Sequence, residues 1–307
     1  MSTLAFIVSP VAALVLSPFM AGIINRTKAK VAGRKGQPLM QAYYDLLRLF
    51  RKGSVYSNTT SWVFRAAPVI IFCATLLSTC FVPLLPLSTG ITFTGDVVLL
   101  LYLLGLARFF LILSALDTGS AFEGMGASRE AFFSALAEPV MFVCLLNIMR
   151  VTGSGSIAEA LSTPIMPDYV AVLLTAVPVF VILLAENARM PFDDPNTHLE
   201  LTMIHEVMIL DNSGPGLALL EYAASIKLWL FSLVLARILL PPSTFLVQMA
   251  LLLLLMTLTA VAIGLVESLM ARVRLVKVPQ LLFGSGIVAL LGFLISVTGI
   301  LSLVKGI

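Results

Sequence analysis

The chain has 307 residues, 59% of them apolar and only 11% charged, with a mean hydropathy of +1.05. A soluble domain of this length needs far more charge to cover its surface, so a water-soluble globular protein is excluded. The net charge of +3 is modest, and the placement of its basic residues reports membrane topology rather than nucleic-acid binding.

A helix needs about 20 apolar residues to cross the hydrocarbon core of a bilayer. Eight runs of that kind follow one another, at residues 4–24, 62–85, 97–116, 131–149, 169–185, 217–240, 245–266 and 281–304. Barrel strands would be shorter and would alternate polar with apolar, which runs such as 251–255 do not. The predicted fold is therefore all-α: a single polytopic membrane domain over 1–307, with about eight transmembrane helices. No Lys or Arg precedes the first run and no small-residue cleavage motif follows it, so it is expected to remain as a span.

The segment after the first run carries Arg26, Lys28, Lys30, Arg34, Lys35, Arg48, Arg51 and Lys52, a cytoplasmic signature. Alternating sides from there places about 25–60, 117–130, 187–216 and 267–280 inside, and both termini outside. The inner side also receives Arg129, Arg189, Arg272, Arg274 and Lys277, whereas the outer side holds little beyond Arg150, Arg237 and Lys305. Within the first inner loop, 37–52 reads as an amphipathic surface helix. Leu39, Tyr43, Leu46, Leu47 and Phe50 share one face, and Gln41, Asp45, Arg48 and Lys52 occupy much of the other. It serves either as an interfacial anchor or as the wall of a cavity or a docking surface.

Cys73, Cys80 and Cys144 lie in or beside apolar runs without paired spacing, which predicts buried thiols rather than a disulfide, metal or iron–sulfur framework. Ionisable groups inside the spans say more, because each is expensive in hydrocarbon and must face protein or water. Arg65 and Glu267 sit near span ends and are expected to snorkel. Arg108, Glu138, Glu186, Glu221 and Lys227 are not so easily accommodated. Pro139 after Glu138 should bend its helix. Glu221 and Lys227 are separated by about 240° around a helix axis, so each needs a partner elsewhere. Glu138, Glu186, Glu221 and Lys227 are proton-relay candidates; the competing reading is a static ion pair that holds helices together.

The inner loops concentrate the remaining chemistry. One carries Asp117, Glu123, Arg129 and Glu130; the other carries Glu186, Arg189, Asp193, His198, Glu200, His205, Glu206 and Asp211. So acidic a surface is not needed for insertion, and it is expected to dock a partner or gate the site. His198 and His205 share a helical face, but without an H-E-x-x-H spacing a metal site is not expected. The glycines near Gly124 form no phosphate loop, since neither a Gly-Lys-Ser/Thr motif nor a preceding strand is present.

These same loops carry a resemblance. The octet E-N-A-R-M-P-F-D at 186–193 resembles the E-x-N-R-x-P-F-D signature of the first membrane subunit of respiratory complex I. Glu200-Leu201, Asp211 with Ser213-Gly214, Glu221-Tyr222, and Arg34-Lys35-Gly36 with Pro38, Gln41 and Asp45 are similar to further landmarks of that family. The stretches at 117–130 and 197–208, with Glu138-Pro139, resemble the membrane anchor subunits of formate hydrogenlyase and of hydrogenase-4-type complexes (component C), the group 4 membrane-bound nickel–iron hydrogenase branch. Asn196 and His198 stand where the complex I pattern has acids, which counts against a quinone site of that kind.

The resemblance implies a non-catalytic membrane subunit of an oxidoreductase complex in a bacterial or archaeal cytoplasmic membrane. It would anchor a peripheral arm of hydrogenase-like large and small subunits, which hold a nickel–iron centre and iron–sulfur clusters, and would sit beside antiporter-like membrane subunits. The chain itself would bind no cofactor. Glu138, Glu186 and Glu221 match the family's intramembrane acids. Arg189, Asp193, Glu200 and Asp211 match its loop between the fifth and sixth helices, and Arg129 matches the arginine opening the fourth. Redox chemistry in the arm would shift charge beside Glu186 and Glu200, and protons, or sodium ions in their place, would redistribute. Two other classes remain at this point: a stand-alone ion-coupled transporter, against which the absence of repeat symmetry between the halves speaks, and a purely structural anchor.

Overall fold

A computed structural model describes residues 2–84, 91–163, 169–193 and 203–298. Among these the regular structure is helical: α1 (Ser2–Val31), α2 (Gln41–Phe50), α3 (Trp62–Ser78), α4 (Asp96–Asp117), α5 (Ala121–Thr152), α6 (Ile157–Ser162), α7 (Tyr169–Glu186), α8 (His205–Met208), α9 (Gly214–Leu239), α10 (Phe245–Leu269) and α11 (Val278–Thr298). Seven described helices are long and apolar enough to span a bilayer, and Val170–Glu186 of α7 is a shorter apolar helix. The expected set of about eight spans is therefore present, and the chain is a multi-pass membrane protein.

α9 is the central helix. It packs against α1, α3, α7 and α10, and every side chain from 228 to 238 is buried, as expected of a helix apolar all round. The outer helices close on one another around it, α3 on α4, α4 on α5, and α11 on α5 and α7. Leu254 and Leu258 of α10, and Phe283 and Ile287 of α11, stay exposed and form lipid-facing surface. In the last turn of α9, Arg237 is buried. Its guanidinium donates to the Pro83 and Leu84 carbonyls at 2.9 and 2.7 Å, which removes the need for a counter-charge.

Two helices overrun the bilayer. The 30 residues of α1 and 32 of α5 give lengths of about 45–48 Å at about 1.5 Å per residue, against a hydrocarbon core of about 30 Å. The end of α1 therefore carries Lys28 and Lys30 beyond the core. α5 starts at Ala121, ten residues before the apolar run does, so most of the 117–130 segment is a helical projection rather than a loop. Ser120 followed by Glu123 has the spacing of a capping box, but Ser120 makes no cap hydrogen bond, and the Glu123 carboxylate accepts from the Thr118 hydroxyl and the Asp211 N–H instead.

The helix expected at 37–52 forms as α2 over Gln41–Phe50 and packs against α1 and α9. Its approach depends on Gly22 of α1: a Cβ there would lie 2.2 Å from the Leu39 carbonyl oxygen. Gly126 of α5 admits the 203–208 segment in the same way, with the Ile204 carbonyl 2.9 Å from where a Cβ would stand. Both glycines bring connecting backbone onto a membrane helix.

Candidate functional site

A cavity of about 320 Å³ opens at the end of the bundle that carries α2 and α8, between α1, α2, α3, α4, α5, α7, α9 and the residues around α8. Gln41, Asp45, Leu46 and Leu49 of α2 line it, whereas Tyr44 and Leu47 are exposed. α2 thus lines the cavity with one side and leaves apolar residues exposed on the other, an arrangement that suits both a cavity wall and an interfacial anchor. Leu46, grouped by spacing with the lipid-seeking residues, faces the cavity.

The charges in the spans converge on Arg108 of α4. Its guanidinium is buried and pairs with Glu138 of α5 and Glu186 of α7, while its Nε stands 3.4 Å from Glu130 of α5. Lys227 of α9 reaches the same Glu186 oxygen at 2.8 Å, which supplies the partner on another helix that the spacing from Glu221 demanded. Two cations therefore face three carboxylates. With all five ionised the cluster carries one negative charge, and its outermost acid, Glu138, is half exposed on the bundle surface. Two polar atoms bordering the cavity, Arg108 Nε and the Asn187 carbonyl oxygen, are buried without a protein hydrogen bond, the kind of group that buried water satisfies.

At the mouth of the cavity lie Arg189, His205, Glu206 and Glu221. Burial pushes the Glu206 carboxyl up to about 7, helped by the negative charges of Glu221 and Asp193 and opposed by Arg189. Burial, with Lys227 and Arg189 nearby, pushes His205 down to about 4, so its imidazole is neutral at physiological pH. Glu206 is then a group at this cavity that changes charge near neutrality.

The other predicted residues hold the frame. One Asp193 oxygen accepts from the Ile204 and His205 N–H groups at 3.0 and 3.1 Å, and the other lies 3.2 Å from Arg272, tying α8 to the segment before α11. Asp117 accepts from the Ser61 and Phe64 N–H groups at the start of α3. Glu123 is buried and accepts from the Thr118 hydroxyl and the Asp211 N–H. Arg129 donates to the Met203 carbonyl at 3.1 Å. Glu267 corrects an expectation: it does not snorkel. Its carboxylate has 0% exposure and sits 2.8 Å from Lys28 and 3.3 Å from Arg189, joining α1, α10 and the end of α7. Arg65 is exposed and lies over the Tyr56 ring. Glu200 and His198 lie outside the described residues. Among the described residues, no group of three or more His, Cys, Asp or Glu side chains is placed to hold a metal ion.

Residues 2–298 match the family model described as NADH dehydrogenase. The chain belongs to the NADH dehydrogenase family. Within its reach, the chain is 29% identical over 305 residues to formate hydrogenlyase subunit 4 of Escherichia coli, covering 95% of this chain and 98% of that one. It is 33% identical over 217 residues to hydrogenase-4 component C of the same organism, with 70% and 68% covered. Its fold superimposes on a chain from the structure of the membrane-bound sulfane sulfur reductase, an archaeal respiratory membrane complex. The TM-score is 0.83 at 20% identity, covering 96% of this chain and 99% of the other. The resemblance drawn from the loops is thus confirmed at the level of the family and its hydrogenase-type branch.

The sequence reading left Arg108 outside the candidate relay, although it is the centre of the cluster, and it missed Glu130 as a partner. Glu130 was placed outside the membrane because the apolar run starts one residue later; the Ser120–Glu123 capping spacing is the signal that would have put it on α5.

Proposed function

We propose that this NADH dehydrogenase family member is the membrane subunit of an energy-converting redox complex of the membrane-bound hydrogenase or formate hydrogenlyase kind. It anchors a peripheral electron-transfer arm and couples that arm to ion translocation. The observation that carries this is the Arg108 cluster: two cations and three carboxylates drawn from α4, α5, α7 and α9, bordering a cavity whose mouth holds a carboxyl pushed up to about 7. An element that only anchored a partner would have no use for an uncompensated acid inside the bilayer.

In this reading the nickel–iron centre and iron–sulfur clusters belong to hydrogenase-like partner subunits, which dock on the inner face around the exposed Leu210 and Asp211. Charge arriving in that arm shifts the Glu206 proton equilibrium. The change passes through Glu221 and the Lys227–Glu186 pair to Arg108, which redistributes its attraction between Glu130 and Glu138. Coupling of this kind needs only a few kcal/mol between sites, about what one charge movement supplies at short range in a protein interior. Glu138 supports a further membrane partner. Its side chain is 49% exposed on the bundle surface within a membrane-spanning helix, where lipid is a poor neighbour for a carboxylate, and an antiporter-like subunit covering this face would receive the proton. Both termini face outward in this arrangement, and the membrane is a bacterial or archaeal cytoplasmic one.

The test is purification of the native assembly through a tag on this chain. The reading predicts co-purifying subunits that carry nickel and iron, and ion uptake into vesicles that requires redox turnover. A chain that purifies alone and moves ions down an imposed gradient would overturn it and favour a stand-alone transporter.

A further inference from the structure

Two hydroxyls meet on one interrupted stretch of α1. Pro18 lies inside that helix and has no N–H, so the Leu14 carbonyl four residues earlier loses its intrahelical donor. The Tyr222 hydroxyl, from α9, donates to that carbonyl at 2.5 Å. One residue further along, the Val15 carbonyl accepts from the Tyr43 hydroxyl of α2, and the Phe19 N–H is turned toward the same tyrosine oxygen. Ser17, next to the proline, is fully buried and its hydroxyl makes no protein hydrogen bond, so the repair comes from the neighbouring helices. A freed carbonyl inside a membrane costs several kcal/mol if nothing answers it.

Both tyrosines adjoin the charged cavity. Tyr222 directly follows Glu221, and its ring is held against Phe72 of α3, centroids 5.4 Å apart. Tyr43 stands on α2 between Ala42 and Asp45, which line the cavity wall. The Pro18 site is thus the one place where α1, the wall helix α2 and the central helix α9 are joined by hydrogen bonds among the described contacts.

We propose that Tyr222 is a positioning residue for coupling: by taking the carbonyl that Pro18 frees, it fixes the rotation and depth of α9 against α1 and thereby the placement of Glu221 and Lys227. Tyr43 fixes the wall helix to the same point, so the two sides of the cavity share one reference. This rests on the coupling role proposed above for the cavity.

The experiment is a double-mutant cycle in the intact complex, with Tyr222→Phe, Pro18→Ala and the pair. Pro18→Ala returns an N–H to the Leu14 carbonyl, which relieves the unanswered carbonyl but restores no link between α1 and α9. Tyr222→Phe should leave dye-linked redox turnover unchanged while ions moved per electron fall about fivefold, the size of one net hydrogen bond. The double variant should regain the thermal stability lost in Tyr222→Phe yet keep its low ion movement, whereas a merely structural weakening of the bundle would be relieved in both measurements. Wild-type coupling in Tyr222→Phe, or coupling restored together with stability in the double variant, overturns the proposal. If Tyr222→Phe does not assemble, the assembled double variant supplies the coupling measurement, with low ion movement expected and wild-type ion movement overturning the proposal. Glu138→Gln run alongside separates the two readings. Lost coupling there with normal coupling in Tyr222→Phe refutes the positioning role alone, and normal coupling in both refutes the coupling role of the cavity as well.

Discussion

Glu206→Gln replaces the carboxyl at the cavity mouth by a neutral group of the same shape. Burial first, and then Glu221 and Asp193, raise this carboxyl from 4.5 to about 7, with Arg189 opposing them. Because the folded-state value is raised, the protonated form is the one the fold favours. Its stabilising contribution is fully present below about 4.5 and is lost as the pH rises through about 7. At about 1.4 kcal/mol per decade of acidity, the interval is worth at most about 3 kcal/mol in disfavour of the ionised form. The purified complex should therefore lose thermal stability between about pH 4.5 and pH 7 in the wild type, with no further loss from this group above that, and the glutamine variant should lose less of it. The same variant should flatten the dependence of ions moved per electron on pH around 7, since no proton can then leave this position. Denaturation midpoints and vesicle ion uptake across the same pH series measure both. Parallel pH profiles for wild type and variant would refute the placement of a near-neutral carboxyl at this mouth.

Arg108→Met leaves Glu130, Glu138 and Glu186 without their shared cation; breaking a buried pair of this kind costs about 3–5 kcal/mol, and assembly yield should collapse, whereas Lys227→Met should assemble and lose ion movement. Glu267→Gln removes the counter-charge between Lys28 and Arg189, so the denaturation midpoint should fall while ions moved per electron stay unchanged. Asp117→Ala removes the acceptor at the start of α3 and should cost about 1 kcal/mol of stability, the value of a helix cap, with coupling again intact; a coupling defect in this variant would show that the residue does more than cap.

The intramembrane charges were legible because hydrocarbon makes each one expensive wherever it falls in a span: Glu138, Glu186 and Lys227 do meet in one cluster. What linear order does not contain is which helices are neighbours. Arg108, Glu138 and Glu186 are separated by 30 and 78 positions, so their common partner emerges only from packing. Glu267 illustrates the same gap: its place at a span end suggests escape to water, yet Lys28 from α1 and Arg189 from the end of α7 enclose it. α2 shows how periodicity reads amphipathicity without saying what lies on either side, for its polar face lines a cavity and part of its apolar face is exposed outward. Asp117 and Glu123, read from the acidity of their loops, spend their oxygens on backbone N–H and hydroxyl groups. Local charge density alone does not separate a cap from a docking group.

The measurement that bears most directly on the central claim is the number of ions moved per electron by the purified complex in sealed vesicles, compared between wild type and Glu138→Gln. The account predicts that the variant assembles and turns over a redox dye at the wild-type rate but moves few or no ions, because the carboxylate linking Arg108 to the bundle surface has lost its proton site. Wild-type ion movement in that variant would contradict the account and leave the Arg108 cluster as a static tie between helices.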